Sequence, residues 1–277
     1  MKIPKLIHQI WIQGADKVPP RYHNWIKSWD RDYPDWHHKI WSGKELEELI
    51  RRDYPQYLEL YEEQPNMAHK ADVGRAILMH KLGGIYVDTD FESFKNAEEL
   101  FEDYDVILSL AVDIFSLRKV TTDSILISKP GHPYWIQVLN TMKKRIRAPD
   151  LIYMYVYSRY YGKDPTIKML AEKHFLSIRN RILYRIFNTK PNASEGAYGV
   201  HHWTTEWGWF KPRFNSDQLL LQSCRLIFLS ILLLGMLFVR NRTHLIGFLL
   251  ILAFCLLVFY YRDDFLILYL FKDDPVF

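Results

Sequence analysis

Cysteine is nearly absent from this chain of 277 residues: there are two, Cys224 and Cys255, and both lie in an apolar tail. No disulfide framework braces the front of the molecule, and cysteine usage names no compartment. An excess of charge of one sign is missing as well. The formal net charge is +4, and five of the 36 Lys plus Arg and four of the 32 Asp plus Glu fall after residue 218. A front domain so mildly basic excludes a nucleic-acid partner recognised by charge alone. The basic run "KKRIR" at 143–147 reads as a solvated helix face, with contact to anionic lipid head groups as the alternative. Internal repeats and low-complexity linkers are lacking, which removes solenoids and disordered tethers. So is an N-terminal leader. "MKIPKLIHQIW" carries Pro and His where an apolar core would run, so the opening residues are expected to belong to the folded domain already.

What the chain has in plenty is apolar length at its end. Leu226–Val239 is a run of 14 apolar or small residues and Leu245–Tyr261 a run of 17, joined by the polar "RNRTH". A span takes about 20 residues, with roughly 17 as the short limit. Extended to Leu219 with Arg225 snorkelling, the first run approaches that length. Neither run has the amphipathic stripe of a surface helix. The expectation is a membrane hairpin over residues 219–277 behind a folded domain at 1–218; two buried helices of a soluble bundle are the alternative. Arg240 and Arg242 favour a cytoplasmic loop, and therefore flanks on the other side. The missing leader favours the reverse topology. The sequons at Asn192 and Asn241 would be usable on a luminal side alone.

The front domain reads as α/β. "KLIHQIWI" has the apolar and aromatic run of a buried strand and stops at the turn-rich "QGADKVPP". Tyr22, Trp25, Ile26 and Trp29 recur at helical spacing, and "HHKIW" at 37–41 reads as a second strand. Strand, helix and strand in that order predict a parallel pair with a crossover. "GKELEELIRRDY" predicts another helix, and "PNMAHKADVGRAILMHKLGG" a further one that stops at Gly83 and Gly84. Next come a strand, "IYVDTDF", then "DVILSL" at 105–110 and "SILISKPGHPYW" at 124–135, the last turning at Pro-Gly into a helix. Residues 148–198 are aromatic and basic, and their pattern names no element.

In "HKLGGIYVDTDFES" two acids, Asp88 and Asp90, end an apolar run. Side chains alternate along a strand, so the expectation is that both point to one side with Thr89 opposite. They would also sit at the carboxyl edge of an α/β sheet, where ligands bind. Asp72 and Arg75, at i and i+3 of the preceding helix, share a face. Alone they make an intrahelical ion pair. With only two glycines between helix and strand, that face would look into the same crevice. Three carboxylates and one arginine in a cleft call for a cation or a polyhydroxyl ligand. Oxygen donors suit Mn²⁺ or Mg²⁺ better than zinc.

Four stretches together carry a resemblance: "IPKLIHQIWI", "AHKADVGRAILMHKLGGIYVDTD", "SKPGHPYW" and "HHWTTEW". Over roughly residues 2 to 210 the chain resembles glycosyltransferase family 32, the DXD sugar-binding transferases. In architecture it is nearest to the inositol phosphorylceramide mannosyltransferase branch, which also has C-terminal spans. The resemblance implies a GT-A, Rossmann-like nucleotide-sugar-binding domain and a retaining transfer. It implies Asp90 as principal metal ligand and Asp88 on the ribose, sugar or metal. Asp72 and Arg75 would hold donor hydroxyls, with Arg75 also near the phosphates. Trp11 would lie against the base; an ordinary core aromatic is the equal alternative. His201, His202, Trp203 and Trp207 resemble the family's H-x-x-x-S-W closing motif, which reaches back to the metal or diphosphate and would put His202 and Trp207 on the donor, although Glu206 stands where Ser is common; a packed cap over the sheet is the alternative. The implied partners are a GDP-mannose or UDP-hexose donor, a lipid or glycan acceptor and a membrane, in the Golgi or another endomembrane of a eukaryote. No covalent nucleophile stands out, and binding and orientation would dominate catalysis. A silent sugar-binding or scaffold protein on the same fold is the second reading. A metal-dependent phosphohydrolase is the third, and it would need a second cluster of acids or histidines.

Overall fold

The computed structural model describes residues 3–101, 103–113, 118–144, 149–171, 174–175, 196–202 and 204. They lie within one compact unit, Met1–Thr204. The expected membrane hairpin, both cysteines, both sequons and Trp207 fall outside the described residues. Among the described residues no helix is long and apolar enough to cross a membrane.

The first strand, β1 (Leu6–Ile10), leads through α1 (His23–Asp32) to β2 (His37–Trp41), and the two strands pair in parallel as the crossover predicts. Helix α2 (Gly43–Asp53) begins at a capping box: the Ser42 hydroxyl accepts from the Glu45 amide, and the Glu45 carboxylate accepts from the Ser42 amide. A short α3 (Leu58–Glu62) precedes α4 (Met67–Lys81), whose first turn is capped by the Asn66 side chain. Strand β3 (Gly84–Val87) then lies parallel to β1 on the side away from β2. Chain order thus switches sides at β1, the place where an open α/β sheet leaves a crevice. Strands β5 (Val106–Asp113) and β6 (Arg118–Ser128) follow the short β4 (Phe91–Ser93). β6 begins well before the expected strand at 124, and it runs antiparallel to both β3 and β5. Helices α5 (Pro133–Lys144) and α6 (Pro149–Val156) lead to β7 (Ile167–Leu170), parallel to β5. The result is a mixed six-stranded sheet in the order β2-β1-β3-β6-β5-β7. A second sheet of two strands joins β4 to β8 (Gly199–His201).

Alternation along the strands builds two cores. Ile7, Ile85, Val87, Ile107, Ile125 and Ile127 share one core with Trp29 of α1 and with Tyr33 and Trp36 just beyond it. Ile10, Tyr86, Leu108 and Leu126 face the opposite layer of α4, α5 and α6. Helix α4 is buried continuously from Ala71 to Met79, so this stretch has no solvent face. Any charge between Ala71 and Met79 must therefore be compensated inside the protein. Two glycines connect it to β3 because nothing larger fits. Gly83 and Gly84 have φ of +66° and +88°, and a Cβ would come within 2.6 Å of the Ser128 carbonyl oxygen or 2.4 Å of the Leu6 carbonyl oxygen.

One buried histidine helps lock β1 to its neighbours. His8 Nε2 lies 2.9 Å from the Gly83 carbonyl oxygen, and Trp41 Nε1 donates to His8 Nδ1 at 3.1 Å. These contacts require the neutral Nε2–H tautomer. Burial pulls the His8 pKa down to about 4, with the Gly83 carbonyl opposing. The unfolded chain gains this proton near pH 6.5 and the folded chain near 4, so stability present at neutral pH is lost as pH falls between them. The His8 contribution to that loss is about 3 kcal/mol. Urea midpoints followed from pH 7 to 4 should fall more steeply for the wild type than for His8→Gln. Equal slopes would acquit His8.

Candidate functional site

The acids do not lie on a strand. β3 ends at Val87, and Asp88, Thr89 and Asp90 form a turn before β4 begins at Phe91. The expected alternation therefore does not apply. The turn exists because Asp88 changes partners: its N–H donates to the Ser124 carbonyl of β6, and its own carbonyl accepts from the Phe91 amide at 3.0 Å. Both acids nevertheless reach one place. His201 Nε2 lies 2.9 Å from Asp90 Oδ1 and 3.7 Å from Asp88 Oδ2.

Arg75 is the hub of the other half. Its Nη2 meets Asp72 Oδ1 at 2.8 Å, as the i, i+3 spacing predicts. Its Nη1 lies 3.7 Å from Asp88 Oδ1 and 2.9 Å from Asp123 Oδ2, and it donates to the Asp123 carbonyl oxygen at 2.8 Å. The guanidinium also sits over the Tyr86 ring, 5.0 Å from its centroid. Tyr86 in turn donates its hydroxyl to Asp88 Oδ1 at 2.7 Å. The polar face of α4 does look into the crevice of the paired acids.

Four carboxylates here face one guanidinium and one imidazole, and Asp72, Arg75, Asp90 and His201 are all buried. Burial pushes the Asp72 carboxyl well up, against the pull of Arg75. Burial likewise raises Asp88 to about 6, with Arg75 and His201 opposing. Asp90 goes the other way. Burial raises it, but His201 together with the Thr204 hydroxyl and amide outweighs that and holds it below the usual carboxylate range. Thr204 N–H and Oγ1 donate to Asp90 Oδ2 at 2.7 and 2.9 Å. Burial lowers His201, yet Asp90 and Asp88 carry its pKa above the ordinary value. The site is thus held short of positive charge.

A divalent cation fits that shortage. Asp88, Asp90 and His201 each offer a ligand atom, all within 4.8 Å of one another. Two carboxylates and one imidazole are a donor set that a borderline or hard divalent ion accepts. Of the two adjacent histidines in the closing stretch, the structure brings His201 to the paired acids. β8 pairs with β4 so that His201 lies opposite Phe91, with the two rings stacked 5.7 Å apart. The next side chain points elsewhere: His202 stacks on Trp25 at 4.1 Å and meets Glu92 Oε2 at 2.8 Å. Trp11 is buried, its ring 5.3 Å from that of Tyr22. Asp123 and Thr204 went unread, Asp123 because it precedes the apolar run taken as the strand. An acid on the strand beside β3 is a signal, but only once that pairing is known.

Fold and site together define an α/β protein with a buried acidic crevice at the carboxyl end of an interior strand. Residues 19–107 match the family described as "Glycosyltransferase sugar-binding region containing DXD motif", a stretch that holds Asp72, Arg75, Asp88 and Asp90. The resemblance to the DXD sugar-binding glycosyltransferases is therefore shown, with inositol phosphoceramide mannosyltransferases among the relatives. Inositol phosphoceramide mannosyltransferase 3 of Schizosaccharomyces pombe is 29% identical over 156 residues, 55% of this chain and 42% of that protein. The uncharacterized glycosyltransferase L373 of Acanthamoeba polyphaga mimivirus is 28% identical over 144 residues, 50% of this chain and 55% of that protein. The initiation-specific alpha-1,6-mannosyltransferase of Candida albicans is 31% identical over 110 residues, 38% and 29% of the two chains. The match thus spans from 29% to 55% of the length of these relatives. Among solved structures, the galactosyltransferase LgtC with donor and acceptor sugar analogues overlaps with a TM-score of 0.43 at 10% identity, over 75% of this chain and 90% of that one. That overlap is too loose to assign a role to any residue.

Proposed function

We propose that this chain is a metal-dependent glycosyltransferase of GT-A type that moves a hexose, with mannose favoured, from a nucleotide-sugar donor with retention. One observation carries the reading: Asp88, Asp90 and His201 present ligand atoms within 4.8 Å of one another beside the buried Asp72–Arg75 pair. Asp90, Asp88 and His201 would hold Mn²⁺ or Mg²⁺, whose chemistry when bound is to neutralise a nucleoside diphosphate leaving group. Mn²⁺ suits the mixed oxygen and nitrogen donors better. Asp72 and Arg75 would bind the donor sugar's hydroxyls, with Arg75 toward the phosphates, and so fix the sugar for attack from one face. Trp11, buried beside Tyr22, is assigned to the base. His202 and Trp207 are assigned to closing the donor pocket, His202 from its place on Trp25.

Residues 1–218 would be the catalytic domain and 219–277 a membrane hairpin that parks it at a bilayer, as the two apolar runs support. A lipid-linked acceptor follows from that placement, with inositol phosphorylceramide first and a glycan second. Golgi or another endomembrane is the matching location in a eukaryote. The inositol phosphoceramide mannosyltransferases among the relatives favour GDP-mannose as donor.

The test is hydrolysis by the full chain in detergent with Mn²⁺, comparing GDP-mannose, UDP-glucose, UDP-galactose and UDP-N-acetylglucosamine. GDP-mannose should turn over, and addition of inositol phosphorylceramide should speed its consumption. A UDP-sugar turned over instead would change the donor and keep the reaction. No turnover and no donor-induced thermal shift would favour the second reading, a silent sugar-binding module.

A further inference from the structure

A row of hydrogen bonds crosses the sheet under α1 and ends on the turn that carries both acids. Gln9 of β1 is fully buried, and its Nε2 donates to the Asp88 carbonyl oxygen at 3.2 Å. Its Oε1 lies 3.0 Å from Nε2 of His38 on β2. His38 Nδ1 lies 2.7 Å from Asp30 Oδ1 on α1. The Asp88 carbonyl is the one that also accepts from Phe91 N–H and so closes the turn. Both of its lone pairs are engaged, one within the turn and one from β1.

The direction of the row follows from chemistry. A backbone carbonyl only accepts, so the Gln9 amide must turn its NH₂ toward Asp88 and its oxygen toward His38. His38 must then donate from Nε2 to Gln9 and, because a carboxylate only accepts, from Nδ1 to Asp30. Flipping the amide would set oxygen against oxygen at Asp88 and leave a buried carbonyl short of a donor. We infer that Gln9 is a positioning residue for the Asp88–Phe91 turn, and that His38 holds its amide in the one orientation that grips the Asp88 carbonyl. Gln9 touches neither donor nor cation. It acts through the peptide between Asp88 and Thr89, whose rotation would carry Asp88 and Asp90 apart and away from His201. The benefit to cation binding rests on the metal reading above, whereas the grip on the turn does not.

The test uses the full chain and two readouts. One is Mn²⁺ affinity by calorimetry; the other is hydrogen exchange of the Phe91 amide, with the Ile77 amide in α4 as control. Gln9→Glu keeps the shape and an acceptor for His38 but puts oxygen in place of the NH₂. Loss of one hydrogen bond should weaken Mn²⁺ binding and speed Phe91 exchange, each by roughly tenfold, with Ile77 unchanged. His38→Gln restores a donor to Gln9 and should stay within about twofold of wild type, while His38→Leu should behave like Gln9→Glu. If Gln9→Glu does not fold, the His38 pair decides by itself. Phe91 exchange at the wild-type rate in Gln9→Glu, or identical behaviour of the two His38 variants, would overturn the inference. A wild type that binds no Mn²⁺ would instead overturn the metal reading and leave Phe91 exchange to judge the turn.

Discussion

Asp88→Ala/Asp90→Ala will lose sugar-donor turnover by on the order of a thousandfold or more, and with it the thermal shift that Mn²⁺ gives the wild type. The two acids supply both carboxylates of the proposed cation site. A cation at a hundred times its dissociation constant stabilises a folded protein by about 2.7 kcal/mol, and this increment should vanish with the ligands. The fold should survive. Asp88 stands with its pKa raised to about 6 chiefly by burial, so its charge is a burden that alanine removes. Asp90 is different, because His201 and Thr204 both bond to it. Asp90→Asn separates the roles: it keeps an oxygen for the Thr204 amide and loses the charge. Turnover should fall in Asp90→Asn while the melting point without metal stays near that of the wild type. Full Mn²⁺-dependent turnover in the double variant would remove these acids from the metal site.

Arg75→Met will destabilise the protein by about 3–5 kcal/mol at neutral pH, the cost of stranding buried charges. Arg75 is the common partner of Asp72, Asp88 and Asp123. Without it, Asp72 and Asp88, whose pKa values burial already raises, move further up. The folded state then binds more protons than the unfolded state above about pH 4, so stability falls as pH rises. The deficit against wild type should be larger at pH 7.5 than at pH 5, and Mn²⁺ should recover part of it at the higher pH. Arg75→Lys keeps the charge but not the fork that meets Asp72 and Asp123 at once, and should fall between. Urea denaturation at the two pH values checks this. A wild-type midpoint for Arg75→Met at pH 7.5 would show that the cluster is already balanced without the guanidinium.

Much of the fold was legible because its rules are local. The parallel β1–α1–β2 unit follows from an apolar run, a helical spacing of aromatics and a second run. The stop of α4 follows from Gly83 and Gly84, whose backbone no other residue adopts without strain. The residue types of Asp72, Arg75, Asp88 and Asp90 already spoke of a cation and a polar ligand. The strand reading of "VDTD" failed for a reason outside that stretch. Asp88 donates to Ser124 of an antiparallel β6, and its carbonyl bends back to Phe91.

By itself, then, the sequence determined the α/β order of the elements, the stop of α4 and the placing of Asp72, Arg75, Asp88 and Asp90 around one crevice. These follow from periodicity, from glycine's freedom and from the charge of side chains. Only the tertiary structure decided which histidine joins the acids, that Asp123 completes the grip on Arg75, and that Gln9 reaches the Asp88 carbonyl. Each of these depends on which strand lies beside which and in what register, and pairing between residues 48 to 111 positions apart leaves no local mark on either one.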